Sequence, residues 1–257
     1  MGGRRVARDE AWAAVFADKK LAEPRFVEYG DGCVGALFGD RGNNKKRGVV
    51  LFHTAAGPRD LFLHWKASLL AAQGCAVLVA DLYGDPWGQA WDPAWPGRTL
   101  TASETRRRAV AAADYLRNAT GVERFAAMGW CLGGRAAIEL FKAGESSRLA
   151  AVASFHGVLD ADSPMLPARR RAKILVLHGD KDPFVPQLDA FRAQMREFGA
   201  SVDVHAFGDA SHGFTNPAQR LNEKDGFDYD ERAAKIAWRL AEAHLAEAGI
   251  LVLPPSP

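Results

Sequence analysis

The chain has 257 residues, 48% hydrophobic and 25% charged, with a formal net charge of +2. That balance describes an ordinary soluble globular protein of one large or two small domains. Basic and acidic residues are interspersed, which leaves no stripe for nucleic acid and no basic amphipathic stretch for a membrane surface; the longest apolar runs fall far short of the roughly 18 residues that span a bilayer.

Residues 1–22 read as an N-terminal extension with a short helix around Glu10–Ala17, and the arginines near the start lead into no apolar signal segment. Phe26–Phe38, with Asp31-Gly32 in its middle, reads as a hairpin. Gly48–His53 is a short apolar strand, followed by a turn at Ala56-Gly57-Pro58 and a helix over Leu61–Gln73. The pattern then continues with a strand at Cys75–Ala80, a helix at Ala102–Asn118, a strand at Arg124–Met128 and a helix at Leu132–Ala143. Strands follow at Leu149–Phe155 and Lys173–Leu177, then a helix at Gln187–Glu197, a strand at Val202–Ala206 and a long helix at Arg232–Ala248. Strands without polar alternation, each followed by a helical period, predict a mostly parallel sheet covered by helices on both faces. The expectation is one α/β domain over residues 23–253, with a short tail at 254–257.

Three cysteines, Cys33, Cys75 and Cys131, are odd in number and widely spaced. They suit neither a disulfide framework nor a zinc site and fit a reducing, cytoplasmic compartment. Cys33 and Cys75 lie in strand patterns and read as core thiols. Cys131 stands in Gly129-Trp130-Cys131-Leu132-Gly133, between a strand and a helix. This is the setting of the nucleophile elbow, usually written G-x-S-x-G, and the free N–H groups of the helix favour a thiolate there. The plainer reading is an inert thiol before an ordinary helix.

An elbow enzyme also needs an acid and then a histidine, each after a later strand. The strand at 173–177 runs into H-G-D-K-D-P-F-V-P at 178–186, which offers Asp180 and Asp182. The strand at 202–206 runs into F-G-D-A-S-H-G-F at 207–214, which offers His212 at the same carboxyl edge. Taken singly, Asp182 is a turn residue before Pro183 and His212 a loop histidine. Their arrival in the required order favours the chemical reading.

Four stretches carry a family resemblance: A-D-L-Y-G at 80–84, G-W-C-L-G-G at 129–134, H-G-D-K-D-P-F-V-P at 178–186 and S-H-G-F-T-N-P at 211–217. With them the chain resembles the dienelactone hydrolase family of α/β-hydrolases, from about Phe26 to the final helix. The resemblance implies Cys131 as nucleophile, His212 as general base and then acid, and Asp182 as its orienter, with Asp180 as the fallback. It implies the backbone N–H groups of Leu132 and Ala55 as oxyanion donors.

Departures from the family pattern bear on substrate. Thr54 stands where the best-known members carry a glutamate, so His212 is expected to take the thiol proton directly. Asp85 and Asn216 stand where dienelactone-cleaving members carry arginines for a substrate carboxylate, which points to a neutral ester instead. The stretch D-P-W-G-Q-A-W-D-P-A-W-P at 85–96 is too proline-rich for a regular helix and reads as a loop. Its Trp87 and Trp91 either wall a substrate pocket or pack on the fold's own surface. Thr54, Tyr83 and Phe214 complete the expected substrate contacts.

His53, His156 and His178 end strands near the site without metal-ligand spacing, and His64, His205 and His244 read as surface or edge residues. No phosphate-cradling loop is present, and no metal or cofactor is implied. The expectation is a hydrolase of small esters or lactones acting through a thioester, as a monomer or small homo-oligomer. The alternatives are phosphotriester hydrolysis at the same thiol, a catalytically silent binding scaffold, and a redox-sensing thiol that lacks a resolving cysteine.

Overall fold

The computed structural model describes residues 10–39, 47–84, 100–144, 148–159, 163–166 and 172–253. Its strands are β1 (Arg25–Tyr29), β2 (Cys33–Phe38), β3 (Arg47–Phe52), β4 (Ala76–Ala80), β5 (Arg124–Trp130), β6 (Leu149–Phe155), β7 (Lys173–Gly179) and β8 (Val202–Phe207). They form one sheet in the order β1-β2-β4-β3-β5-β6-β7-β8. β1 and β2 are the expected hairpin, and β2 pairs antiparallel with β4. From β4 to β8 every pairing is parallel. The helices are α1 (Leu61–Ala72), α2 (Ala102–Thr120), α3 (Leu132–Ala143), α4 (Leu188–Glu197) and α5 (Glu231–Glu247), with a 3-10 turn at Pro217–Leu221.

Strand pleating divides the apolar side chains between two cores. In β5, Phe125 and Ala127 face a core completed by α2, α3 and α4, whereas Ala126, Met128 and Trp130 face one completed by α1 and α5. The second core also takes Phe16, only 2% exposed, from the N-terminal stretch, where residues 10–14 are helical and 15–18 form a turn. Burying a side chain of this size stabilises the fold by about 1.5–3 kcal/mol. This is the α/β-hydrolase architecture, with both sheet faces covered.

Three strands extend beyond their apolar runs: β5 to Trp130, β7 to Gly179 and β8 to Phe207. The ladder continues because neighbouring backbone is still in register there, as in the pairings Gly129–Ser154 and Gly179–Phe207. Two histidines read as surface residues are buried. His64 shares a 2.9 Å hydrogen bond with the Pro58 carbonyl, and His244 meets the Lys173 carbonyl at 3.2 Å. Each ring caps a carbonyl that a neighbouring loop or strand leaves open, a long-range match that local polarity does not reveal. His205 is exposed.

The chain leaves β3 for β4 on one side and then passes back over β3 to β5 on the other. Loops after β3 and β5 therefore diverge and open a crevice at the carboxyl edge. Loops after β4, β7 and β8 open on the same edge because those strands run parallel.

Candidate active site

At this edge stands Cys131, the residue between β5 and α3. Its backbone sits at φ 54°, ψ −117°, and only His156 shares a positive φ among the described non-glycine residues. Such strain costs on the order of 1–3 kcal/mol and persists only where the surroundings over-determine it. Here they do. Trp130 stacks on Phe155 at 4.6 Å and meets Phe62 edge-on at 5.6 Å, pinning the end of the strand. The Cys131 N–H donates to Phe155, and its carbonyl accepts from Gly134 and Val158. Neighbouring glycines are a steric requirement. A Cβ on Gly129 would lie 1.9 Å from the Gly133 oxygen, and one on Gly133 would lie 2.1 Å from the Phe52 oxygen. The half-buried thiol thus stands above the first turn of α3, whose N-terminus has no side-chain cap.

Asp182 and His212 come from the loops after β7 and β8. These loops meet backbone to backbone, since a Cβ on Gly179 would lie 2.4 Å from the Ala210 oxygen, and the Lys181 N–H donates to Ala210 at 3.0 Å. Asp182 is buried, with Oδ1 accepting from the Phe184 N–H at 2.9 Å and Oδ2 lying 2.6 Å from His212 Nδ1. Asp180 is exposed, two residues earlier in the same turn. Rings clamp His212: Phe184 and Phe227 stand edge-on at 5.3 and 5.0 Å, and His156 at 5.0 Å. The His212 backbone is fixed by its N–H donating to Gly226 at 2.9 Å.

Cys131 and His212 lie close enough for each to shift the other's titration. Burial alone pushes the thiol up, but the neighbouring His212 charge and the Leu132 N–H bring it below the ordinary 9.0. For His212, burial opposes protonation, but the Cys131 charge and the bond to Asp182 outweigh it and raise the imidazole to about 10. Both directions favour a thiolate–imidazolium pair. His156 is buried, with Nε2 3.1 Å from Thr215 Oγ1, and its burial and the His212 charge hold it well below 6.5. It is therefore an uncharged wall beside the charged ring.

The loop after β3 faces the start of α3, where a Cβ on Gly133 would also lie 2.8 Å from the His53 oxygen. In this loop Thr54 Oγ1 accepts from the Ala56 N–H at 3.1 Å, and the Thr54 carbonyl accepts from the Gly57 N–H at 3.2 Å. The Ala55 N–H has no hydrogen-bond partner among the described residues. Tyr83 donates to the Ala55 carbonyl at 3.1 Å, and burial, aided by the nearby Cys131 charge, raises its phenol.

Phe214 does not line an open pocket. It is fully buried, packed at 5.6 Å against His156 and at 5.1 Å against Phe207, because the turn after His212 dives under the sheet edge. Asn216 is also buried and uses Oδ1 to accept from Ala218. Trp87, Trp91 and Asp85 lie outside the described residues. The clamping rings Phe184, Phe227 and His156 were not foreseen. Phe184 was visible in H-G-D-K-D-P-F-V-P, but its contact with a ring 28 positions later was not. Among the described residues no His, Cys, Asp or Glu group could hold a metal, and no helix is long and apolar enough to cross a membrane.

The sequence profile of the dienelactone hydrolase family matches residues 34–248. Two similar solved structures share 30% identity with the chain. One, named "m3DLH", has a TM-score of 0.73 over 88% of this chain and 98% of its own. The other is a dienelactone hydrolase-like promiscuous phosphotriesterase from metagenomic libraries, with a TM-score of 0.77 over 89% of this chain and 99% of its own. Esterase 2 from Thermogutta terrifontis, 17% identical with a TM-score of 0.64 over 91% and 98%, shares the fold. No curated protein matches the chain at a significant level.

Proposed function

The chain belongs to the dienelactone hydrolase family, and we propose that it cleaves small neutral esters or lactones through a covalent thioester on Cys131. The observation that carries this reading is the buried His212–Asp182 contact at 2.6 Å beside the strained Cys131, whose thiol and the His212 ring shift each other's titration. The Cys131 thiolate attacks the carbonyl carbon, and the developing oxyanion is received by the N–H groups of Leu132 and Ala55. Each such donor is worth about 2.7–4 kcal/mol to the transition state.

Collapse of the tetrahedral adduct expels the alcohol oxygen, which takes a proton from the His212 imidazolium. The leading force that raises His212 is the Cys131 charge. Thioester formation consumes that charge, so His212 gives up its proton when the leaving group needs it. The now neutral His212 takes a proton from water, whose oxygen attacks the thioester. The acid departs and the thiolate–imidazolium pair returns. Asp182 keeps the proton-bearing Nδ1 of His212 fixed toward itself, leaving Nε2 for the thiol and leaving group. Thr54 brings no negative charge to the thiol, and His212 suffices for activation.

A neutral substrate fits Asn216, which is buried, uncharged and committed to capping. The described wall of the site, formed by Tyr83, Phe184 and Phe227, is aromatic. The three cysteines, none of them in a disulfide, suit a reducing, cytoplasmic setting. A second reading, attack of the same thiolate on phosphorus, is favoured by the metagenomic phosphotriesterase at 30% identity.

Initial rates on a p-nitrophenyl ester and a p-nitrophenyl phosphotriester, for the parent protein and Cys131→Ala, test the proposal. Ester turnover that disappears in Cys131→Ala supports it. Undiminished turnover in that variant overturns it, and turnover of the phosphotriester alone selects the second reading.

A further inference from the structure

His53 lies in the first position of the loop after β3 and is fully buried, yet it touches neither Cys131 nor His212 in any hydrogen bond. Both ring nitrogens are committed. Nε2 lies 2.9 Å from the Leu82 nitrogen, and Nδ1 lies 2.6 Å from the Thr54 carbonyl oxygen. A backbone amide is only a donor, so Nε2 must accept and carry no proton. The ring proton is therefore on Nδ1 and is donated to Thr54. The partners dictate the tautomer.

The consequence lies across the peptide bond. There are no cis peptides among the described residues, so the Thr54 C=O and the Ala55 N–H point in opposite directions within one rigid plane. A side chain that holds the carbonyl from one side aims the amide to the other. We infer that His53 is the positioning residue of the oxyanion hole, orienting the Thr54–Ala55 peptide so that its N–H is presented to the developing charge. This rests on the reading of Cys131 as nucleophile and of Ala55 as an oxyanion donor.

The surrounding bonds fit this role. The next peptide is pinned at both ends, with the Ala55 carbonyl accepting from Tyr83 Oη at 3.1 Å and the Ala56 N–H donating to Thr54 Oγ1 at 3.1 Å. Tyr83 also packs on the His53 ring at 4.8 Å. Of the amides at positions 55, 56 and 57, only that of Ala55 is left without a protein partner among the described residues. His53 further ties this loop to the loop after β4 through Leu82, and polarisation of the peptide by the Nδ1–H strengthens the N–H as a donor.

Two chemistries of one thiolate separate positioning from general damage. Alkylation by iodoacetamide is displacement at a saturated carbon and forms no oxyanion, whereas acylation by p-nitrophenyl acetate does. His53→Phe keeps a ring and loses both hydrogen bonds. It is expected to alkylate at Cys131 with the pH profile of the parent protein and to acylate about 10²–10³-fold more slowly. His53→Gln carries a donor and an acceptor on one amide and is expected to recover part of the acylation rate.

Acylation by His53→Phe at the parent rate, or a parallel loss of both reactions, overturns the inference. Should that variant not fold, long-range proton–nitrogen NMR on the parent protein decides. An Nδ1–H tautomer at His53 supports the assignment and an Nε2–H tautomer refutes it. If the parent protein itself forms no acyl adduct on Cys131, the nucleophile reading fails, whatever His53 does.

Discussion

Replacing Gly133 by alanine would place a methyl group 2.1 Å from the Phe52 oxygen, 2.4 Å from the Phe52 carbonyl carbon and 2.8 Å from the His53 oxygen. The closest of these lies about 1.3 Å inside the 3.4 Å at which ordinary contact begins. All three obstacles are main-chain atoms at the end of β3, a strand bonded on both sides to β4 and β5. The strand cannot yield cheaply, so α3 must move. Overpacking of this kind costs about 1–3 kcal/mol, and its upper end lowers the melting temperature of a chain this size by about 6–12 °C. Displacing α3 by about 1 Å also carries Leu132 and Cys131 away from the loop at 53–57, a misplacement worth about 10²-fold in rate. The control is Gly208→Ala, where an added Cβ meets nothing within 4 Å. Thermal melts and kcat/KM on an aryl ester should show Gly133→Ala well below the control on both measures. If the two variants melt and turn over alike, the close approach of β3 and α3 does not shape the site and the reasoning fails.

Asp182→Asn keeps an acceptor for the Phe184 N–H but removes the charge 2.6 Å from His212. Ester kcat/KM should fall about 10²–10⁴-fold, while exposed Asp180→Asn stays near the parent value; the reverse pattern would move the acid to Asp180. The pair also predicts a pH dependence of stability. The raised pKa of His212 contributes stability that is complete below 6.5 and lost as pH rises through about 10. The lowered pKa of Cys131 contributes stability that is complete above 9.0 and lost as pH falls toward the lowered value. Between 6.5 and 9.0, wherever the pH also exceeds the lowered Cys131 value, folded and unfolded states bind equal numbers of protons and the opposing slopes cancel; above 9.0 the contribution declines. Urea titrations across pH, compared with a Cys131→Ala/His212→Asn double variant, should show this contribution declining above 9.0; no such decline would argue against the ion pair.

The parts of this molecule that local pattern governs were readable in the chain. Leu132–Ala143 and Leu149–Phe155 have the predicted bounds, because an apolar run ends where a glycine or turn residue begins. That Cys131, the turn holding Asp180 and Asp182, and His212 gather at one edge was readable for a topological reason: parallel strands deliver their following loops there. Choosing between Asp182 and Asp180 was harder, since both sit in one turn and only burial against His212 separates them. Phe214 was misread because its place beside His212 in sequence says nothing of the turn that carries it under the sheet. His53 was read only as a strand end without metal spacing. Its task depends on Leu82, 29 positions away, and on which face of one peptide plane is left open. Such relations reside in tertiary hydrogen bonds and leave little trace in residue order.

The central claim is that Cys131 forms a covalent intermediate, and mass spectrometry of the intact protein tests it most directly. Brief exposure to an activated ester, followed by acid quenching and peptide mapping, should reveal one acyl group, located on Cys131 and lost with time as water releases it. An acyl group mapped to another side chain, or turnover of the ester with Cys131 unmodified throughout, would contradict the account.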